Sequence, residues 1–182
     1  MSLGDKVTRL LRWLLLLSVL LAACQPPFTP VAGRQPSDTV QSEPLAVSFW
    51  TPAGWEVRTR EEQADGPLAV WLREPLTAQQ RSQQGEALRL SVVQLSGYGS
   101  LADAVADLAP PYRRAPECQV EEDVTLQGHP AVRFTCPGER RLLVDVEGKL
   151  YDLGGQAPPR RQEELGPLWD AFLASVRFVA SE

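Results

Sequence analysis

Histidine and long apolar runs are scarce in this chain. Of its 182 residues only one is a histidine, His129, which lies between Gly128 and Pro130. A Ser-His-acid triad would have to use that histidine, yet the Gly-x-Ser-x-Gly pattern that presents such a serine does not occur. Neither a P-loop nor the Gly-x-Gly-x-x-Gly dinucleotide pattern occurs. We therefore expect no catalytic residue, no cofactor and no enzymatic activity.

Metal-binding patterns are also missing. The acidic run Glu121-Glu122-Asp123 falls in a predicted strand, where successive side chains point to opposite faces and do not converge on one ion. A site made of Cys118, His129 and Cys136 would need the turn histidine to fold back to the far end of its hairpin. We expect no metal site.

The one strongly apolar run, Trp13–Leu21, is too short to span a membrane. A spanning helix needs about 20 apolar residues. The run follows a basic segment with Lys6, Arg9 and Arg12, and small residues come after it. This order is typical of an export signal.

The residues that end this segment are Leu21, Ala22, Ala23 and Cys24. Ordinary secretory cleavage after Ala23 is disfavoured, because it would put a bulky leucine at the third-last position. The four residues resemble the lipobox of bacterial lipoprotein precursors. That resemblance implies a signal peptide over 1–23, a diacylglycerol on Cys24 and a protein held at the extracytoplasmic face of a cell membrane. The alternative is a buried or chance cysteine after an uncleaved signal.

The charge of the mature chain disfavours a nucleic-acid partner. Cleavage would remove three of the 18 basic residues and one of the 23 acidic ones, which leaves 15 against 22 and a net charge of −7. The paired arginines are isolated doublets, not a basic patch. We expect a membrane contact through the lipid, an unidentified protein partner and no nucleic acid.

The remaining two cysteines are predicted to form a disulfide. If Cys24 carries lipid, Cys118 and Cys136 are left as a pair in an oxidising compartment. They begin and end a predicted hairpin, with strands over 118–126 and 130–136. Counting inward from both ends puts the cysteines opposite each other and Gln127 at the centre of the turn.

The rest of the chain divides into a linker and one domain. Residues 24–44 are rich in Pro, Ser, Thr and Gln without hydrophobic period, which predicts a disordered linker. Residues 45–182 have the length and pattern of a single globular domain.

Short apolar runs separated by turn residues predict strands in this domain. Residues 75–86 are expected to form a loop, one helix is expected to begin at the cap Ser100 and stop at Pro110, and an amphipathic helix is expected over 161–175. The predicted strands besides the cysteine hairpin are Leu45–Trp50, Trp55–Arg60, Leu68–Arg73, Ala87–Leu95, Arg141–Val146, Lys149–Leu153 and Val176–Val179.

Aromatic residues offer the main alternatives for a binding surface. Tryptophans in predicted strands and helices usually belong to the core. The other interpretation is that the four tryptophans in the domain form an aromatic recognition surface. Tyr98, which lies between two glycines, is the best single candidate for an exposed partner contact. The four tryptophans are Trp50, Trp55, Trp71 and Trp169.

Several of these features together resemble the PsbP/Mog1-type domain of many bacterial lipoproteins. The resemblance rests on Phe49-Trp50-Thr51-Pro52 with Gly54-Trp55, Ser100-Leu101, Leu126 to Ala131, and Ser175-Val176-Arg177-Phe178. It implies an α+β fold with an antiparallel β-sheet flanked by helices in an α/β/α sandwich. It carries no functional residue over to this chain, because such a fold serves many functions.

We expect a membrane-anchored lipoprotein with a non-enzymatic binding or assembly domain that acts on a protein partner or envelope complex. The alternative is a small-ligand carrier with a cleft between sheet and helix, and a carboxylate-based hydrolase is a third class. A flat exposed patch with Tyr98 or a tryptophan favours the partner. A large apolar pocket favours the carrier, and two close carboxylates in a cleft favour the hydrolase.

Overall fold

The structure, a computed structural model, describes residues 36–60 and 67–179. The predicted signal peptide and Cys24 lie outside the described residues. Within the described ranges, no helix combines the length and apolarity needed to cross a bilayer.

Ten strands in the described residues form two antiparallel sheets. The larger sheet has the order β3-β4-β5-β9-β8-β7-β6, and the smaller has the order β1-β2-β10. Their bounds are β1 Pro36–Ser42, β2 Val47–Pro52, β3 Glu56–Arg60, β4 Ala69–Arg73, β5 Arg89–Leu95, β6 Gln119–Leu126, β7 His129–Cys136, β8 Glu139–Val146, β9 Lys149–Gln156 and β10 Arg177–Phe178.

Helices pack on both sides of the seven-stranded sheet. The helices of the described residues are α1 (Ala78–Gln84), α2 (Leu101–Leu108), α3 (Pro110–Arg114) and α4 (Gln162–Ser175), the last preceded by a 3-10 turn, Pro159–Arg161. Of these, α2, α3 and α4 pack on the sheet. Helix α4 and the small sheet cover the side we call the first face, and α2 and α3 cover half of the opposite second face. The predicted α+β class with an antiparallel sheet between helices is confirmed.

The predicted capping and amphipathic patterns of the two main helices are also confirmed. The Ser100 side chain accepts a hydrogen bond from the backbone N–H of Asp103 at 3.1 Å, which begins α2 as expected. The buried side of α4 carries the predicted apolar stripe, namely Leu165, Leu168, Trp169, Phe172 and Leu173. This stripe packs on the first face and completes the larger core.

The predicted end of the linker at residue 44 is wrong. Residues 36–42 form β1, which pairs antiparallel with β2 and therefore belongs to the folded domain. The segment lacks hydrophobic period because a strand at the edge of a small sheet is held by backbone hydrogen bonds to its neighbour. Composition alone does not reveal such pairing.

The predicted loop over 75–86 contains helix α1. Thr77 caps it, since its side chain accepts from the backbone N–H of Gln80 at 3.2 Å. The Gln80 side chain in turn accepts from the backbone N–H of Thr77 at 2.9 Å. This reciprocal capping box stabilises a polar helix that has no buried residue.

The cysteine hairpin has a different turn from the predicted one. Gln127 and Gly128 both have positive φ, 55° and 85°, as the two central residues of a two-residue type I′ turn require. Leu126 is therefore paired with His129, not placed symmetrically about Gln127. The register shifts between Glu121 and Val124, and this irregularity restores the pairing of Val120 with Phe134.

The strands on either side of the Pro52-Gly54 turn belong to different sheets. Strand β2 pairs with β1 and β10, whereas β3 forms the edge of the seven-stranded sheet. Apolar and polar residues alternate from Trp55 to Arg58, a pattern that predicts Val57 on the buried side, yet all five residues of β3 are exposed. The alternation fails because the core of the first face does not extend as far as this edge.

Candidate functional site

A cleft of about 520 Å³ lies on the second face beside α3. One side of the lining comes from α2, α3 and the segment after them. The other side comes from the adjoining ends of β7 and β8. Its lining residues are Asp107, Leu108, Pro111, Tyr112, Glu117, Cys118, Cys136, Pro137, Glu139 and Arg141.

A hydrogen-bond network crosses the floor of this cleft. The Tyr112 hydroxyl donates to Glu139 Oε1 at 2.6 Å, and Arg141 Nη1 donates to the same hydroxyl at 3.3 Å. Arg141 also donates from Nε and Nη2 to the two carboxylate oxygens of Asp152, at 2.8 and 2.6 Å. The arginine is therefore held in a bidentate ion pair.

The surroundings shift the pKa values of two groups in this network. Burial raises the pKa of the Tyr112 hydroxyl, and the hydrogen bond to Glu139 raises it further. Burial lowers the pKa of Arg141, but the hydrogen bonds and negative charge of Asp152 outweigh that effect and raise it overall. The tyrosine stays neutral and the arginine stays charged at ordinary pH.

Tyr98, the predicted partner contact, is half-buried against α2. Its ring packs on the smaller core, and its hydroxyl donates to Asp107 Oδ2 at 2.7 Å. This hydrogen bond is the main cause that raises the pKa of Tyr98. A contact between Tyr98 and a partner stays a prediction. The Tyr98 hydroxyl already makes a hydrogen bond within the domain.

Charged side chains line the cleft on several sides. Asp107, Glu117 and Glu139 contribute carboxylates, while Arg141 contributes the cation. The Asp107 and Glu139 carboxylates each accept a hydrogen bond from a tyrosine, which fixes their orientation. Such a lining suits a small polar ligand better than an apolar one.

The other half of the second face, formed by β3, β4 and β5, has an exposed aromatic and cationic surface that we call the open face. Strand pairing places Arg58 opposite Trp71 and Trp71 opposite Ser91. Trp71 is 38% exposed, and the Arg60 guanidinium lies 5.5 Å from the centre of its ring. Sequence periodicity missed this surface because a tryptophan in a strand ordinarily predicts a core position.

The other three tryptophans in the described ranges are buried or partly buried. Trp55 and Trp169 belong to the larger core, and Trp50 packs against it. The predicted core placement therefore holds for Trp55 and Trp169, and of the tryptophans that the structure describes only Trp71 contributes to an exposed surface.

The two cysteines of the hairpin are bonded, with an S–S distance of 2.01 Å between Cys118 and Cys136. His129 lies apart from them, with its ring 5.7 Å from that of Phe178 in an edge-on contact. In the part of the chain that the structure describes, no three His, Cys, Asp or Glu side chains are grouped to hold a metal ion.

Comparison with known proteins gives one structural neighbour to describe. The structure is similar to the solution structure of cyanobacterial PsbP from Synechocystis sp. PCC 6803. The match has 16% sequence identity and a TM-score of 0.47, and it covers 82% of this chain and 95% of that one. No family model and no curated protein matches the sequence.

Proposed function

We propose that this protein is a lipoprotein anchored through Cys24 at the extracytoplasmic face of a cell membrane. The observation that carries the proposal is the sequence Leu21-Ala22-Ala23-Cys24 directly after a basic and then apolar segment. A diacylglycerol on Cys24 supplies two buried chains, which is enough for stable attachment at about 0.8 kcal/mol per methylene. The folded domain then needs no membrane-contacting surface of its own.

The Cys118–Cys136 bond supports the proposed compartment. Disulfides persist in oxidising environments and are rare where cellular thiols are kept reduced. A bonded pair, with Cys136 buried and Cys118 partly buried, is therefore consistent with export.

We further propose that the domain binds a protein partner or envelope complex and catalyses no reaction. The exposed Trp71 on a broad sheet face supports this function, because an exposed aromatic residue on such a surface is typical of recognition sites. A carrier of a small polar ligand is the second candidate, supported by the cleft beside α3, whose volume of about 520 Å³ is in the range of ligand sites.

Mass spectrometry of the membrane-extracted protein tests the anchor. We expect no peptide from upstream of Cys24 and fatty acyl chains on that residue. Cys24→Ser should abolish acylation and processing, whereas the matched change Cys118→Ser should leave both intact. An unmodified Cys24 in the wild-type protein would contradict the proposal.

Site-specific photocrosslinking in intact cells tests the binding function. A photoreactive residue at position 71 should give a discrete protein adduct, and one at the exposed position Gln79 on α1 should not. Equal labelling from both positions, or none from either, would count against a partner at the sheet. Adducts from the cleft residue Glu117 that are small molecules would favour the carrier.

A further inference from the structure

The open face carries a row of arginines around Trp71. Residues that pair directly across strands lie on the same face of a sheet. Arg58 pairs with Trp71, and Arg73 pairs with Arg89. Arg60 is on the same face, since it is two residues after Arg58 on β3. Four arginines thus share this face with one indole, together with Glu56, which pairs with Arg73.

These arginines are only weakly engaged by the domain itself. Arg58 contacts Glu56 and Arg89 contacts Glu86, each at 3.4 Å between exposed side chains. Such exposed ion pairs contribute little and exchange readily for other partners. Within residues 36–60 and 67–179, no carboxylate lies within ion-pair distance of Arg60 or Arg73.

The positive charge of this surface contrasts with the charge of the chain, which is −5 overall. Between Trp71 and the half of the sheet that α2 and α3 cover, β5 and β9 carry the small residues Ser91 and Gly154. Helices α2 and α3 pack chiefly on β8 and β6, and Ser91 and Gly154 are both partly exposed. An extended segment of another protein therefore has room beside the indole.

We propose that the open face binds an acidic segment of a protein partner, with Trp71 contacting an apolar side chain of that segment. This inference rests on the proposed binding function and specifies the charge and apolar character of the partner segment. The planar guanidinium groups match carboxylates in fork geometry. An anionic membrane surface fits less well, because the mature chain carries a net charge of −7 and would be repelled as a whole.

Binding of defined probes to the full-length protein, purified in detergent, tests the inference. The probes are a short dye-labelled peptide of alternating Glu and Leu, a matched Lys and Leu peptide, and glycerophosphoglycerol as a soluble lipid headgroup. Fluorescence anisotropy should show binding of the acidic peptide and not of the basic one. Arg58→Gln with Arg60→Gln should weaken that binding about tenfold.

The matched control is Arg113→Gln with Arg114→Gln, which removes the same charge from exposed positions on α3. This control should bind the acidic peptide as the wild type does, and Trp71→Ala should weaken binding with no change of net charge. Equal loss in both double variants would show nonspecific attraction and overturn the proposal. Binding of the headgroup alone would overturn it in favour of a membrane surface.

The proposal would also be overturned if the wild type did not bind the acidic peptide, or if the open-face changes had no effect. The arginines would then serve to protect an exposed sheet edge from aggregation. The acylation of Cys24 and the adduct from position 71 are measured separately. Failure of this inference is therefore distinguishable from failure of the proposed function.

Discussion

Arg161 forms a bidentate ion pair with Glu74, a residue 87 positions earlier in the chain. The same guanidinium donates to both carboxylate oxygens of Glu164, at 2.7 and 2.8 Å. The side chain of Arg161 is 5% exposed, that of Glu74 12% and that of Glu164 47%. This arrangement connects the end of β4 to the start of α4.

The two carboxylates should differ in their contribution to stability. Glu74→Gln should lower the free energy of unfolding by about 2–3 kcal/mol, since it leaves part of a buried positive charge uncompensated. Glu164→Gln should cost less than about 1 kcal/mol, because water screens the more exposed pair. Urea unfolding checks this order, with the exposed Glu163→Gln as a control. Equal losses for Glu74 and Glu164 would contradict it.

Two adjacent glycines of β9 should differ in how much stability a methyl group costs. A Cβ on Gly155 would lie 3.0 Å from Trp169 and 3.2 Å from Leu165, both in the packed core. Gly155→Ala should therefore destabilise the fold by about 1–3 kcal/mol. A Cβ on Gly154 would meet only the Ser91 hydroxyl, which can rotate away.

Thermal unfolding of the two variants tests this contrast. Gly154→Ala should stay close to the wild type, and Gly154→Ala combined with Ser91→Ala should remove any residual cost. A larger loss at Gly154 than at Gly155 would show that α4 does not pack on β9 as closely as described.

The disulfide should contribute measurably to stability. Cys118 and Cys136 are 18 positions apart, and the chain-entropy model assigns a loop of that size about 3 kcal/mol. Replacing both cysteines with serine should lower the urea midpoint, and a reducing agent should lower the wild-type midpoint to the same value without changing the double variant. A wild-type midpoint insensitive to reduction would contradict the bonded pair.

Stability should fall at alkaline pH partly through Tyr112. Burial and the hydrogen bond to Glu139 raise the pKa of Tyr112 above its ordinary value of 10.0. The folded state then holds the proton better than the unfolded state does. The resulting stabilisation is present below pH 10.0 and is lost as the pH rises through the folded-state pKa.

Comparison with Tyr112→Phe isolates this contribution. At about pH 8 the variant should be less stable by about 1 kcal/mol, because it lacks the hydrogen bond. The gap should narrow as the pH rises above about 10, where only the wild type has this proton to lose. A gap that stays constant across this range would contradict the assigned pKa shift.

Local patterns were sufficient for several elements. The Ser100 cap, the apolar stripe of α4 and the hairpins around Gly128 and Gly148 follow from neighbouring residues, whose hydrogen bonds and spacing are encoded within a few positions. The pairing of Cys118 with Cys136 was predicted although the turn was misplaced. The bulge in β6 compensated for that error by one residue.

Pairing between distant segments could not be predicted in this way. Residues 36–42 are mostly polar, and it is the pairing with β2 that makes them a strand. Trp71 and Trp169 have the same side chain, yet one is 38% exposed and the other 2%. The difference depends on what covers each face of the sheet.

The sequence by itself determined an acidic chain, its two main helices, most of its strands and the partner of each hairpin cysteine, because the elements depend on local periodicity and capping. The tertiary structure alone decided which strands share a sheet, that α2 and α3 cover only half of the second face, and that Arg58, Arg60, Arg73 and Arg89 lie on the same sheet face as Trp71. Such convergence depends on contacts between residues far apart in the chain, and no short window of sequence contains them.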